Sequence, residues 1–187
     1  MPKASANPKR YVALLRAINL GARNRVPMGR LRELCEEAGA TEVRTYIASG
    51  NVVLTSSLSA AAIRTELQRT IESEFGISTA VVMLTARQLA AVVKNNPFPG
   101  AQPNSLHVAF AAGPIPQPDI ERLQKLDIQP EEIGVRGSQI YMHMPNGYGR
   151  SALAAEVSRV KVPTTVRNWR TVGTLNELAA NSDTIRS

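Results

Sequence analysis

Apolar and polar positions follow two rhythms along this chain, and each change of rhythm marks an element. Tyr11-Val12-Ala13-Leu14-Leu15, within 10–18, is a short apolar run bounded by charge, as expected of a strand buried on both faces. Residues 19–26 interrupt it with Asn, Gly and Arg and read as a loop. Pro27 falls at the expected first helical position, where its missing N–H does no harm. Leu31, Leu34, Cys35 and Ala38 then share one helical face as far as Gly39. Residues 43–48 and 51–55 are β-rich and joined through Ser49-Gly50, a predicted hairpin. Ser59 is placed to cap a helix with Ile63, Leu67, Ile71 and Phe75 inward, Gly76 ends it, and 79–84 is a further strand. Residues 10–84 therefore read βαββαβ, the split βαβ order of a ferredoxin-like antiparallel sheet with helices on one face.

The second half has a similar order. Thr85-Ala86-Arg87-Gln88 matches a capping box opening a helix with Leu89, Val92 and Val93 inward, and Asn95-Asn96-Pro97-Phe98-Pro99-Gly100 breaks it. A strand at 106–111, a helix around 119–126 and strands at 133–136 and 139–144 follow, with Gly137-Ser138 as the hairpin turn. A helix from Ser151 carries Leu153, Val157 and Val160 on one face. Val162-Pro163-Thr164-Thr165 reads as a stop and cap before a closing helix at 165–180 with the stripe Trp169, Val172, Leu175 and Ala179. The expected fold class is α+β in two subdomains: a disordered tail at 1–8, a ferredoxin-like unit at 9–97, and a related βαββα unit with the closing helix at 98–187.

Composition narrows the function classes. At 187 residues and 43% apolar, the chain can build a real core. No apolar run approaches the roughly 18 residues of a membrane span, and the basic start lacks a signal-peptide core. The lone Cys35 can form no internal disulfide, and two distant histidines leave no zinc spacing, so a reduced, cytoplasmic setting without a metal or cofactor is expected. Cys35 lies on the apolar helical face and reads as core, not as a nucleophile. The net charge of +7 is concentrated at the start, where residues 1–50 hold nine Lys/Arg against four Glu. That asymmetry favours anionic partners.

The candidate chemistry sits where strands meet loops. Asn19 to Arg25 forms one donor-rich loop and Asn146-Gly147-Tyr148-Gly149-Arg150-Ser151 another, which leads into a helix start whose free N–H groups can receive a phosphate or carboxylate. Arg16 ends an apolar strand and must reach water, a carboxylate or a ligand. Arg167 and Arg170 flank Trp169, which reads as the core anchor of the last helix. The second loop is neither a Walker loop nor a dinucleotide fingerprint. His107 and His143 lie near no recognisable serine or cysteine nucleophile, and no carboxylate pair has an acid/base placement.

The passages Arg16 to Met28, Tyr46 to Val52, His143 to Gly147 and Thr164 to Val172 together resemble the domain of unknown function 1697 family, over roughly 10–180. The resemblance implies two α+β subdomains and carries no activity. The chain departs from the family pattern at Ala17 and Ala22, where glycine is common, and at Ala48, where glutamine is common. The leading expectation is binding of an anionic small molecule, a nucleotide or phosphorylated metabolite, in a cleft between the subdomains. Its ligand residues would be Arg16, Asn19, Arg25, Ser49, Asn51, Asn146, Arg150 and Arg167. The alternatives are a nucleic-acid module acting through phosphate contacts, although the first and third strands lack base-stacking aromatics, and an enzyme using His143 or Ser49 with the arginines.

Overall fold

The computed structural model of the chain describes residues 7–21 and 24–181. Residues 1–6 of the expected tail lie outside that range, as do Ala22, Arg23 and the residues after 181. The chain divides into two units. Unit 1 comprises the described residues up to Ala90 and those from Thr174 onward, and unit 2 is Ala91–Gly173.

Unit 1 runs β1 (Lys9–Leu15), α1 (Met28–Glu37), β2 (Thr41–Tyr46), β3 (Asn51–Ser56), α2 (Ala60–Phe75) and β4 (Val81–Thr85). Its sheet has the order β2-β3-β1-β4 with every neighbour antiparallel, the ferredoxin-like arrangement. Tyr11, Ala13 and Leu15 of β1 pack with Leu31 and Cys35 of α1 and with Ile63, Leu67 and Ile71 of α2. Val12, Leu14 and Val53 of the same sheet are also buried, which is why β1 reads as a continuous apolar run.

Unit 2 begins within α3 (Ala86–Lys94) and continues through β5 (Leu106–Ala111), α4 (Gln117–Gln124), β6 (Glu132–Arg136), β7 (Gln139–His143), α5 (Ala152–Val157) and β8 (Thr164–Asn168). It ends inside α6 (Trp169–Ala180). The sheet order is β6-β7-β5-β8, again antiparallel. Ala109, Ala111, Ile140 and Met142 pack against Leu123, Leu153 and Val157. Three helix caps, at Ser59, Thr85 and Ser151, are those the sequence predicts. Ser59 Oγ accepts from Ala62 N–H at 3.2 Å and Ser151 Oγ from Ala154 N–H at 2.9 Å. The Thr85 and Gln88 side chains each receive the other residue's backbone N–H, at 3.2 and 2.8 Å.

Four details differ from expectation. Pro27 is the N-cap of α1, in an extended conformation (φ −61°, ψ 130°), and not its first helical residue. Thr164–Asn168 is a strand where a stop and cap were expected, so unit 2 completes the same βαββαβ order as unit 1. Its β-branched Thr164, Thr165 and Val166 pair with Ala111, Phe110 and Ala109 of β5 respectively, and Pro163 falls just outside the ladder, where no N–H is needed. Trp169 is only half-buried, and the buried stripe of α6 begins at Val172. The 95–100 break does not separate the units, because Pro97 packs on Gly134 of β6: a Cβ added at Gly134 would lie 2.7 Å from Pro97 Cγ.

One asparagine organises the loops at the end of β1. Asn19 takes a left-handed backbone (φ 54°), its Nδ2 donates to Val26 O at 2.9 Å and to Ala48 O at 2.8 Å, and its Oδ1 accepts from Val26 N–H at 2.8 Å. A single side chain thereby joins the β1–α1 loop to the β2–β3 turn. Beside it, Gly50 (φ 80°) lets the turn approach the core, since an added Cβ would meet Leu15 Cβ and Ile18 Cδ1 at 2.8 Å. Asn19→Ala removes all three bonds and leaves part-buried backbone groups unsatisfied, so it lowers the unfolding free energy by about 2–3 kcal/mol. Urea denaturation checks this, and a loss below about 0.5 kcal/mol contradicts it.

Candidate functional site

The predicted ligand residues fall into two groups, and the structure employs most of them internally. In unit 1, Asn51 is fully buried, and its Nδ2 donates to Tyr46 O at 3.0 Å and to Ser49 Oγ at 2.9 Å. Asn51 and Ser49 thus close the β2–β3 turn, while Asn19 ties that turn to the preceding loop. Arg16 and Arg25 are exposed. The Arg16 backbone is held by Thr79, whose Oγ1 donates to its carbonyl at 2.7 Å. The asparagines of this corner build the backbone on which the arginines are displayed. In the same unit Cys35 is buried, and burial pushes its thiol up to about 12, which suits a core residue and not a nucleophile.

In unit 2, Arg167 is buried, with Nη1 donating to Thr165 Oγ1 at 2.7 Å and to Val166 O at 2.8 Å. Burial pulls its pKa down to about 10. Arg150 is exposed in the short 3-10 turn Tyr148–Arg150. The helix start after it does not offer the free N–H groups expected for an anion. Leu153 N–H donates to Glu131 Oε2 at 2.8 Å and Ala154 N–H to Ser151 Oγ. A carboxylate of the chain already occupies that position, where the helix dipole favours it.

Of the eight, Asn146 lines the cavity that unit 2 presents. This is an open cleft of about 750 Å³ in unit 2, walled on one side by Phe98, Gln102, Asn104 and Ser105 and on the other by the turn from Met144 to Gly147, with Glu132 and His143 between. The strands build it directly. Glu132 of β6 is the register partner of His143 of β7, and both side chains project from the sheet face opposite the Ile140 and Met142 core. His143 Nδ1 lies 2.8 Å from Glu132 Oε2, and the Phe98 ring centroid is 5.9 Å from the imidazole. Met144 N–H donates to Ser105 O at 2.7 Å, fixing the two walls to each other. Deeper on the same face, Tyr141 Oη donates to Val92 O at 2.8 Å.

Sequence reasoning missed Glu132, although the signal was present. A two-residue turn at Gly137-Ser138 fixes the register, and counting outward from Arg136 and Gln139 pairs Glu132 with His143. The expected strand began one residue later, at 133, and so omitted it. The second histidine, His107, lies on the other sheet face. Its ring stands 5.0 Å from that of Tyr148, and its Nδ1 is buried without a partner among the described residues. Among the described residues no group of His, Cys, Asp and Glu could hold a metal ion, and no helix is long and apolar enough to cross a membrane.

Comparison with known proteins places the chain. The model of a family described as "Protein of unknown function (DUF1697)" matches residues 9–141, and the chain belongs to that family. Among solved structures it is similar to the conserved bacterial protein SP0830 from Streptococcus pneumoniae, at 24% identity and a TM-score of 0.78. The match covers 92% of this chain and 99% of that one, and it shows a shared fold. No curated protein matches.

Burial lowers the pKa of His107 below the ordinary histidine value. The folded state therefore binds that proton less readily than the unfolded chain. The stability His107 contributes is intact above about pH 6.5 and is lost as pH falls from there towards its folded-state value. Thermal melts from about pH 7.5 down to 5 should show this loss in the wild type and a smaller one in His107→Gln. Equal slopes would contradict the assignment.

Proposed function

We propose that this member of the family binds a small phosphorylated metabolite or nucleotide in the cleft of unit 2. The observation that carries the reading is the cleft itself: about 750 Å³, amide-lined, and containing a histidine oriented by a carboxylate. Preformed concave sites with a few convergent polar groups are where small ligands bind. Gln102, Asn104 and Asn146 supply side-chain amides that both donate and accept, and Phe98 supplies an apolar wall. Support for an anionic group comes from the charge of +7 and from Arg150, exposed three residues beyond the cleft turn at Gly147. Asn19 and Asn51 are committed to backbone carbonyls and Arg167 is buried, so the site does not draw on them.

A nucleic-acid partner draws on the net charge alone, and binding of that kind would weaken steeply with salt. Thermal-shift titrations with nucleotides and sugar phosphates at low and high salt separate the two readings, because a ligand of the folded state raises its stability by mass action. A small phosphorylated compound should stabilise the wild type, and Asn146→Ala and Arg150→Ala should each weaken that compound about tenfold while the melting temperature without ligand stays unchanged. Full affinity in both variants would contradict the site.

A further inference from the structure

The contact between His143 and Glu132 restricts which ligand the cleft can take. A neutral imidazole carries its one proton on either nitrogen, and a hydrogen bond at one nitrogen decides the matter for the other. Here Nδ1 lies 2.8 Å from Glu132 Oε2. A carboxylate only accepts, so Nδ1 must be the donor, and Nδ1 keeps its proton whether the ring is neutral or charged. Nε2 is left as the atom that gains and loses a proton, and in the neutral ring it is a lone-pair acceptor.

The surroundings hold the ring in that pose. Cross-strand pairing places Glu132 opposite His143, and the Phe98 ring bears on the imidazole with an interplanar angle of 33°. Phe98 is positioned in turn by its own N–H, which donates to Asn96 Oδ1 at 2.9 Å, and by Pro97 seated on Gly134. The His143 side chain is 21% exposed and lines the cleft. Of the other polar side chains lining the cleft, Gln102, Asn104, Asn146 and Ser105 all both donate and accept, and Glu132 accepts. A hydroxyl group also donates and accepts, which makes it the natural counterpart of this set. A bare phosphate oxygen only accepts at neutral pH and would face the lone pair of Nε2 with nothing to give it.

We propose that the cleft recognises the polyhydroxylated body of a sugar phosphate, one of whose hydroxyls donates to Nε2 of His143, with Glu132 as the positioning residue that holds the imidazole in the accepting tautomer. The assignment rests on the small-ligand reading of the cleft and extends it to the ligand's class. It gives Glu132 a role that packing alone would not require, because only the tautomer depends on its being a carboxylate.

Nitrogen-15 spectra of the histidine rings at about pH 8, where an ordinary imidazole is neutral, test the tautomer without any ligand. They should show His143 with a protonated Nδ1 and a bare Nε2. Adding ribose 5-phosphate should shift Nε2 and raise the melting temperature, whereas methyl phosphate, whose oxygens are all ionised at that pH and only accept, should leave Nε2 where it was. In Glu132→Gln, whose amide can donate to the ring as well as accept from it, the tautomer preference should be lost and ribose 5-phosphate should bind about tenfold more weakly, the scale of one lost hydrogen bond. A proton on Nε2 in the free wild type, an equal response to methyl phosphate, or full affinity in Glu132→Gln overturns the proposal. Stabilisation by ribose 5-phosphate with an unmoved Nε2 overturns it while leaving the small-ligand reading in place. Failure of every phosphorylated compound to stabilise the wild type removes both.

Discussion

Each unit depends on one central strand, β1 or β5, that is buried and paired antiparallel along both edges. Val12 to Leu15 and Val108 to Phe110 expose almost no surface, so these stretches have no room for a polar side chain, and Arg10 and His107 fall just before them. The backbone groups of both strands are satisfied by their neighbours, and their side chains supply much of the hydrophobic free energy. Polar chemistry is displaced to the places where strands stop. In unit 1 the end of β1 releases Arg16 and Asn19. In unit 2 the start of β5 and the end of β7 release Ser105 and His143, and there the displaced polar groups border open space.

The two units solve the same problem with different residues. Each has the same strand order, and in each a helix follows the last strand without a linker: Thr85 ends β4 and caps α3, and Asn168 ends β8 and accepts from Thr171 N–H at 2.8 Å. Each also ties its two crossover helices with an arginine. Arg30 Nε of α1 meets Glu74 of α2 at 2.7 Å, and Arg122 Nη1 of α4 meets Glu156 of α5 at 2.6 Å. Partly exposed pairs of this kind contribute little stability and mainly fix direction. The correspondence is one of architecture, because the side chains that fill equivalent roles differ. What separates the units is the fate of the loop ends. Asn19 draws the loops of unit 1 together, whereas in unit 2 the segment from Phe98 to Ser105, joined at Ser105 to the turn after β7, lines an open cleft with that turn.

Much of this architecture was legible in the sequence. The apolar run of β1, the capping box at Thr85, the serine caps at Ser59 and Ser151, and the Gly137-Ser138 turn each have a local cause, so local pattern sufficed. The strand at Thr164–Asn168 was not legible, because its identity comes from pairing with β5, some fifty residues earlier. The internal hydrogen bonds of the asparagines were not legible for a related reason. Asn19 and Asn51 look like ligand groups on a loop, yet their amides satisfy carbonyls at Val26, Ala48 and Tyr46 that only folding brings near. The His143–Glu132 pair lay between these cases, since hairpin register could have revealed it and a strand boundary drawn one residue short concealed it.

In the proposed reading unit 2 holds the ligand in the cleft around His143, while the polar corner of unit 1 is structural. Backbone amide chemical-shift mapping during titration with a stabilising phosphorylated compound tests this most directly. Perturbations are expected to cluster at residues 98–105, 132 and 143–147. Perturbations centred instead on residues 16–21 and 47–51, with those around His143 unmoved, would contradict it.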